Sequence, residues 1–321
     1  MIARVVLHLP EDYHDRFRRA PHLALYARVA EVIEARGGEV VLRGRGKRLF
    51  ERAAVAGDGD LHLVENGRAW GPGWLNGALA YLPGYWHLDP AGVLAESSIA
   101  GRVYDPEAIP ADEAAAFLAG LRARFVAPRI SRYGQKKASE DVPEGAIVVF
   151  LQGPIPERRG QAHLSTREML RAVADGAAGR PVVVKAHPLK PEVGLAAIAE
   201  VQAEGHALQV SDANVHDLLA GCAVTVSINS AASIEGLMHG KPAILFGRAD
   251  FAALAETVTH RDGFSAALDR ALMRRIDGAR ALTWYFDRNC LWLEAPDFAE
   301  RMLAVFEQAG FGAGRLGLRP G

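Results

Sequence analysis

The chain has 321 residues, half of them hydrophobic and 23% charged, with 37 Lys and Arg against 38 Asp and Glu for a net charge of −1. That length suits two domains, and the balanced charge gives no sign of nucleic acid as the main partner, although a local basic patch at a membrane surface stays compatible with it. The two cysteines, Cys222 and Cys290, are too few for a disulfide framework and read as reduced thiols of a cytoplasmic protein.

The run Met1 to Pro10 has too short an apolar core for a signal peptide and no small-residue cleavage site behind it; it reads as a first strand. No stretch approaches the ~18 consecutive apolar residues of a spanning helix, so any membrane association is expected to be peripheral. In the first half, strands are predicted at Arg4–Leu9, Val40–Leu42, Leu61–Val64 and Ala78–Leu82, and helices at Leu23–Ala35 and Asp112–Phe125. Residues 84–92 and the following Glu96-Ser97-Ser98 read as a long irregular stretch. Such loops in compact domains usually carry function. The polar, Pro- and Gly-marked segment 134–145 is the natural linker between two α/β domains.

The second half alternates more cleanly. Ile147–Leu151 is a strand ending at Gln152-Gly153-Pro154, followed by a loop with Arg158, Arg159 and His163 and a helix from Thr166 to Ala177. Val182–Lys185 is the next strand, and Pro191–Ala203 is a helix with proline in its first turn. Leu208–Val210 is a short strand ending at Ser211-Asp212; Asn214 caps a short helix to Leu219. Val224–Val226 is a strand, Ser230–His239 a helix and Pro242–Phe246 a last strand. Strands alternating with helices imply a parallel sheet covered on both faces. From Ala271 to Asn289 the pattern is helical. The glycine-rich end is expected to fray. The predicted domains are 1–140, 146–270 and a helical segment 271–309 that packs back toward the first domain, with 310–321 as a flexible tail.

Two strand ends carry the functional signal. Lys185-Ala186-His187-Pro188 closes one apolar run, and Ser227-Ile228-Asn229-Ser230 closes another. In an open parallel sheet the loops beyond the carboxyl ends of the strands converge on one crevice, where ligands bind. Gln152, Lys185, His187, Ser211, Asp212, Ser227, Asn229 and Ser230 would therefore gather along it. Lysine and histidine can donate to phosphate oxygens, and a helix beginning at Ser230 offers free amides to an anion. Glu235, about 1.4 turns further on, would reach a ribose hydroxyl or face solvent. The plainer reading of each group is a capped strand or helix end; it is their combination that points to an anionic, nucleotide-bearing ligand. Arg158, Arg159 and His163 read as solvated charge or as a contact for an anionic substrate. No CxxC, HExxH or Asp-x-Asp pattern marks a metal site. The absence of GxGxxG after the first strand disfavours a nicotinamide enzyme, as does that of a Walker motif a P-loop NTPase and of GxSxG an α/β-hydrolase.

The order of Lys185-Ala186-His187-Pro188, Asn214-Val215-His216-Asp217-Leu218-Leu219 and the run from Val224 to Pro242, with Glu96-Ser97-Ser98, Arg129–Gln135 and Trp284–Leu291 around it, resembles the capsule polysaccharide biosynthesis and export proteins. That family includes the capsular Kdo transferases. The resemblance spans about Trp86 to Leu291. It implies a GT-B fold, two Rossmann-like domains with parallel sheets facing a cleft. It also implies a cytoplasmic glycosyltransferase that acts without metal or other cofactor and takes a Kdo-like sugar acid from a CMP-activated donor. The acceptor would be a glycan or glycolipid, and the inner-membrane surface or the export machinery further partners. By the same analogy His187 would contact phosphate; Ser227, Asn229 and Ser230 phosphate or carboxylate; and Glu235 ribose or base. Transfer also needs a carboxylate, for which Glu96 and Asp89 are the candidates, because they lie in the irregular stretch. A UDP-sugar transferase or 2-epimerase of the same fold, and a non-catalytic export partner, are the competing readings.

Overall fold

The computed structural model describes residues 2–51, 53–134, 141–274 and 276–320. The chain divides into two compact units, residues 1–102 with 286–321 and residues 103–285.

The first unit opens with β1 (Val5–Leu9), whose five residues are all buried, followed by α1 (Ala24–Ala35) and β2 (Val40–Gly44). A two-residue strand β3 (Ala53–Ala54) precedes β4 (Leu61–Glu65), and β5 (Ala69–Trp70) precedes β6 (Trp74–Leu79) and β7 (Tyr85–Asp89). The sheet runs β7-β6-β4-β1-β2; β6, β4, β1 and β2 are parallel, and β7 folds back antiparallel on β6. Period-two alternation separates its faces. Val5, Leu7 and Leu9 turn into the core under α1, and His8 faces the other side with Val6.

Residues 85–89, expected as loop, are thus a buried strand. Trp86, His87 and Leu88 are all buried there, and the sequence Gly84 to Gly92 hid this because its ends are turn residues and its middle shows no polar face.

The second unit starts with α2 (Ala111–Leu121), which continues as one π-helical turn to Val126. This helix packs on residues 278–282, and the Arg122 guanidinium donates to the Met238 carbonyl at 2.7 Å. The unit boundary therefore falls at residue 102, well before the polar segment 134–145 that sequence alone suggested; within that segment, residues 135–140 lie outside the described residues. There follow β8 (Ile147–Phe150), the single turn α3 (Ile155–Arg158), α4 (Thr166–Gly176), β9 (Val182–Lys185), α5 (Glu192–Ala203), β10 (Gln209–Val210), α6 (Val215–Gly221) and β11 (Val224–Ser227). The unit closes with α7 (Ala231–Glu235), extended to His239 by a 3-10 turn, then β12 (Ala243–Leu245), β13 (Glu256–Thr257), α8 (Phe264–Met273) and α9 (Gly278–Leu282). Local chemistry sets several boundaries. Ser165 and Glu168 form a reciprocal capping box at α4, and the Asn214 side chain accepts from the His216 amide at the start of α6.

All six strands are parallel, in the order β10-β9-β8-β11-β12-β13. Relabelled from the first strand of the unit, this is 3-2-1-4-5-6, the doubly wound nucleotide-binding order. The strand order reverses between β8 and β11, and ligands of such sheets bind beyond the carboxyl ends of the strands at that point. Val149, Val184 and Val226 pack against α4, α5 and α8, whereas Val148, Val183 and Leu218 form the core on the α6 side.

After α9 the chain returns to the first unit through β14 (Leu291–Trp292), antiparallel to β7, and α10 (Phe298–Gln308). Residues 310–320 do not form the frayed tail expected from their glycines. Phe311 and Leu316 are buried in the first unit's core, and the Arg315 carbonyl accepts from the Ala3 amide at 2.9 Å. The helix expected across 271–289 is broken into α8, α9 and a π-helical turn at Thr283–Asp287.

Candidate active site

Phe150, Lys185 and Ser227 are in register across β8, β9 and β11, one rung at the carboxyl ends of three adjacent strands. Above this rung lies a small cleft of about 50 Å³, open to solvent. Strand ends supply Phe150 and Leu151, and the segment after β9 supplies Ala186, His187 and Pro188. Ser230, Ala231, Ala232 and Glu235 come from α7, and Ser131, Arg132 and Tyr133 from the segment after the π-helical turn. The lining is mostly apolar, with a few convergent polar groups, as small-molecule sites usually are.

His187 is half-buried, and its orientation is fixed. Its Nδ1 accepts from the Leu189 and Lys190 amides, each at 3.2 Å, so in the neutral ring the proton sits on Nε2. Burial lowers its pKa, and Arg132 and Lys190 push in the same direction. The histidine is thus a neutral Nε2–H donor. Its ring meets the Tyr133 ring edge-on, with centroids 5.1 Å apart.

Glu235 is 1% exposed at the base of the cleft. Oε1 accepts from the Ser131 hydroxyl at 3.0 Å, and Oε2 is buried without a hydrogen-bond partner. Burial raises its pKa to about 7, against smaller lowering contributions from the Ser131 hydrogen bond and Arg132. A strongly perturbed carboxyl in a cleft marks a functional candidate.

Other expected groups have structural duties. Lys185 lines the cleft, but its Nζ donates to the Ala213 carbonyl at 2.7 Å, because the residue is buried and a buried ammonium must find acceptors. Ser227 is fully buried; its Oγ lies 2.8 Å from Ser233 Oγ and accepts from the Ser230 amide at 2.9 Å. Ser230 caps α7 by accepting from the Ala232 amide at 3.3 Å, and its half-exposed hydroxyl keeps a donor for the cleft. Asn229 and Gln152 form a reciprocal pair beside the cleft: the Gln152 side-chain nitrogen donates to Asn229 Oδ1 at 2.8 Å, and the Asn229 backbone N–H donates to Gln152 Oε1 at 2.9 Å. Ser211 accepts from the Ala213 amide and shapes the turn into α6.

Arg158, Arg159 and His163 do not line this cleft. Arg158 ends α3, Arg159 and His163 follow it, and the His163 amide is tied to the Phe246 carbonyl at the end of β12.

The two carboxylates of the first unit are also committed. Asp89 closes β7, and its oxygens accept from the amides of Ala91, Gly92 and Ser98 and from the Ser98 hydroxyl at 2.6 Å. These contacts fill its lone pairs and fold the 90–98 loop. Glu96 is buried and ion-paired with Arg68 at 3.3 Å. The geometry gives both a structural duty in place of the catalytic one expected.

The sequence reading missed Ser131, Arg132 and Tyr133 as site residues, because a polar run beside a linker looks solvated. Nor does the sequence show a pair of neighbouring histidines in the first unit. His8 and His62 meet through Nε2 and Nδ1 at 2.9 Å, His62 Nε2 donates to Asp58 at 2.8 Å, and Trp74 stacks on His62. Period-two spacing on β1 and β4 fixes which face each occupies, but not that they are neighbours. Among the described residues, no group of three or more His, Cys, Asp or Glu side chains could hold a metal ion, and no helix is long and apolar enough to cross a membrane.

Residues 159–263 match the family model described as capsule polysaccharide biosynthesis protein. No curated protein matches the chain. Among solved structures, the chain is similar to the β-Kdo 2,4-transferase of KpsC from Thermosulfurimonas dismutans, with 19% identity, a TM-score of 0.51, and coverage of 88% of this chain and 89% of that one. It is also similar to the β-Kdo 2,7-transferase of the same protein, with 13% identity, a TM-score of 0.53, and coverage of 96% and 99%. The family match supports the resemblance over those residues, and the structural likenesses, with the sheet order, establish the fold as α/β, GT-B-like and built on Rossmann-like parallel sheets.

Proposed function

We propose that the chain is a glycosyltransferase of capsule polysaccharide assembly that passes a Kdo-like sugar acid from a CMP-activated donor to a lipid-linked or glycan acceptor. The observation that carries this reading is the placement of His187, Ser230 and Glu235 around one cleft at the point where the strand order of a parallel sheet reverses. Nucleotides bind such sheets there, and these groups offer what a nucleotide monophosphate needs.

His187 Nε2–H and the Ser230 hydroxyl are donors for the phosphate. Donors fixed in place before reaction stabilise charge that develops on a leaving group, here the departing CMP. His187 is well suited because two backbone amides already set its ring angle, so no reorganisation is needed at transfer. Glu235 meets the ribose or the base. The apolar walls Phe150, Val215 and Ala232 exclude water around them. The proposal uses no resident metal, and it assigns no proton transfer to Asp89, held by the 90–98 loop, or to Glu96, held by Arg68.

The test is calorimetric titration of CMP, UDP, GDP and NAD into wild-type protein, His187→Ala and His187→Asn. The asparagine retains an acceptor for the two loop amides but lacks the Nε2–H donor. CMP binding that both variants weaken supports the reading and leads to transfer assays with CMP-activated sugar acids. UDP binding in its place moves the function to a UDP-sugar transferase or 2-epimerase. No binding of any of the four favours a non-catalytic export partner.

A further inference from the structure

We propose that His216 and Asp217 are positioning residues of the cleft: they hold residues 129–133 where Ser131 meets Glu235 and Tyr133 meets His187. Neither lines the cleft itself. The inference deepens the nucleotide-binding reading and rests on it for its ligand.

Residues 129–133 leave the π-helical turn at Arg129, whose φ of +58° is a left-handed conformation uncommon for a residue with a side chain. Such a turn persists only where its surroundings hold it, and this one has three successive attachments. The Arg129 guanidinium is ion-paired with Asp217. The Ile130 carbonyl accepts from His216 Nε2 at 2.8 Å. The Ser131 hydroxyl donates to Glu235 Oε1 at 3.0 Å. Tyr133, two residues on, then rests against the His187 ring. Two of the three attachments come from the first turn of α6, and the third is the cleft carboxyl itself.

The hydrogen bonds fix the histidine tautomers. A carbonyl only accepts, so His216 Nε2 carries a proton, and in the neutral ring Nδ1 is an acceptor. His239 Nε2, 3.0 Å away, is therefore the donor to it. The chain of donation runs from His239 through His216 to Ile130. Burial lowers the pKa of both rings, that of His239 to about 4 with His216, Arg122 and Lys241 adding to the effect; for His216 the Ile130 hydrogen bond and Asp217 work against the lowering and Arg129 adds to it, with burial the largest cause. Both rings are thus neutral under ordinary conditions.

The simpler alternative is that these residues only build α6. The Asn214 side chain already caps that helix by accepting from the His216 amide at 2.9 Å. The His216 ring and the Asp217 carboxylate are thus turned outward to residues 129 and 130, not back onto their own helix.

The experiment compares wild type with His216→Phe, His216→Gln and Asp217→Asn by CMP titration, by hydrogen exchange of the 128–134 amides, and by thermal unfolding. Glutamine places a donor near the position of Nε2 and phenylalanine places none. We expect His216→Phe and Asp217→Asn to weaken CMP binding at least about tenfold and to speed exchange across 129–133, with His216→Gln within about threefold of wild type. Wild-type exchange in both His216→Phe and Asp217→Asn overturns the inference, as does an equal CMP loss in His216→Phe and His216→Gln. Should His216→Phe fail to fold, Asp217→Asn carries the comparison. If wild-type protein binds no CMP, the functional proposal fails while the exchange data still decide the positioning role.

Discussion

Replacing Glu235 by glutamine is expected to stabilise the protein at pH 8 and to leave its stability near wild type at pH 4.5. The side chain is buried, its carboxyl keeps a proton up to about pH 7 in the fold, and its ordinary value is 4.5. Below pH 4.5 the group is protonated in both folded and unfolded chains and contributes no pH dependence. Between 4.5 and 7 the unfolded chain has released the proton that the native state still holds, so native stability falls as pH rises. Above 7 the native group is ionised as well, and the full cost is in place. At about 1.4 kcal/mol per pH unit, that gap corresponds to roughly 3 kcal/mol. Glutamine presents no charge, keeps an acceptor for the Ser131 hydroxyl and removes the whole dependence. The assay is denaturant unfolding of both proteins from pH 4.5 to 8, with the difference between them plotted against pH so that every other titrating group cancels. A difference that grows with pH and levels off near 8 is the expected curve. A flat one would refute the reasoning, since it would mean that water or a neighbouring cation already solvates the carboxylate.

His187→Ala and His187→Asn each remove a donor to a charged group, a loss of about 1.5–3 kcal/mol; CMP affinity should fall roughly ten- to hundredfold in titration, with little change in melting temperature for His187→Asn, which keeps an acceptor for the two loop amides. Phe311→Ala should cost about 3–5 kcal/mol of stability by opening a cavity in the first unit's core, and denaturant midpoints check it; a tail that merely frayed would lose nothing. Asp89→Asn should destabilise by about 1.5–3 kcal/mol, because the charge-assisted bonds that fold the 90–98 loop are weakened. Limited proteolysis of that loop would report it, whereas loss of transfer with an unchanged loop would restore a catalytic reading. Burial pushes the Cys222 thiol up to about 12, and Cys290 is buried too, so a thiol reagent at pH 8 should label the native protein far more slowly than the unfolded one.

The central strands β8, β9, β11 and β12 of the second unit were legible from sequence because each is a short apolar run bounded by turn residues, the pattern a doubly covered parallel strand must have, whereas the edge strand β13, Glu256–Thr257, carries no apolar run and lies beyond the strand expected to be last. Val182–Lys185 and Val224–Ser227 are strands, and Asn214 is the cap expected. Residues 85–89 were not legible, since a strand buried on both faces and flanked by Gly and Pro has no alternation to betray it. The unit boundary was misplaced because Pro, Gly and charge mark a loop, not the domain that owns it. Arg122 and the α2 face decide ownership, and they do so through contacts some 120 residues away. The tail was misjudged for the same reason: its glycines suggested fraying, and only the fold shows where Phe311 and Leu316 are buried.

Within the site, sequence found the right strand ends but could not divide their side chains between ligand and fold. The chemistry explains why. A strand end or helix start leaves backbone amides and carbonyls unpaired, and the side chains that satisfy them are the ones that would otherwise bind an anion. Ser227, Lys185 and Asn229 answer the backbone and its neighbours, and their polar atoms are taken. His187 answers the backbone with one nitrogen and is left with the other. Glu235 answers Ser131 with one oxygen and has the second in hand. A residue with two separable polar atoms can therefore hold the fold with one and face a ligand with the other. On that ground, substitutions that spare the inner atom and delete the outer one, such as His187→Asn, are the ones expected to separate binding from stability. Substitutions at Ser227 or Lys185 should lower both together.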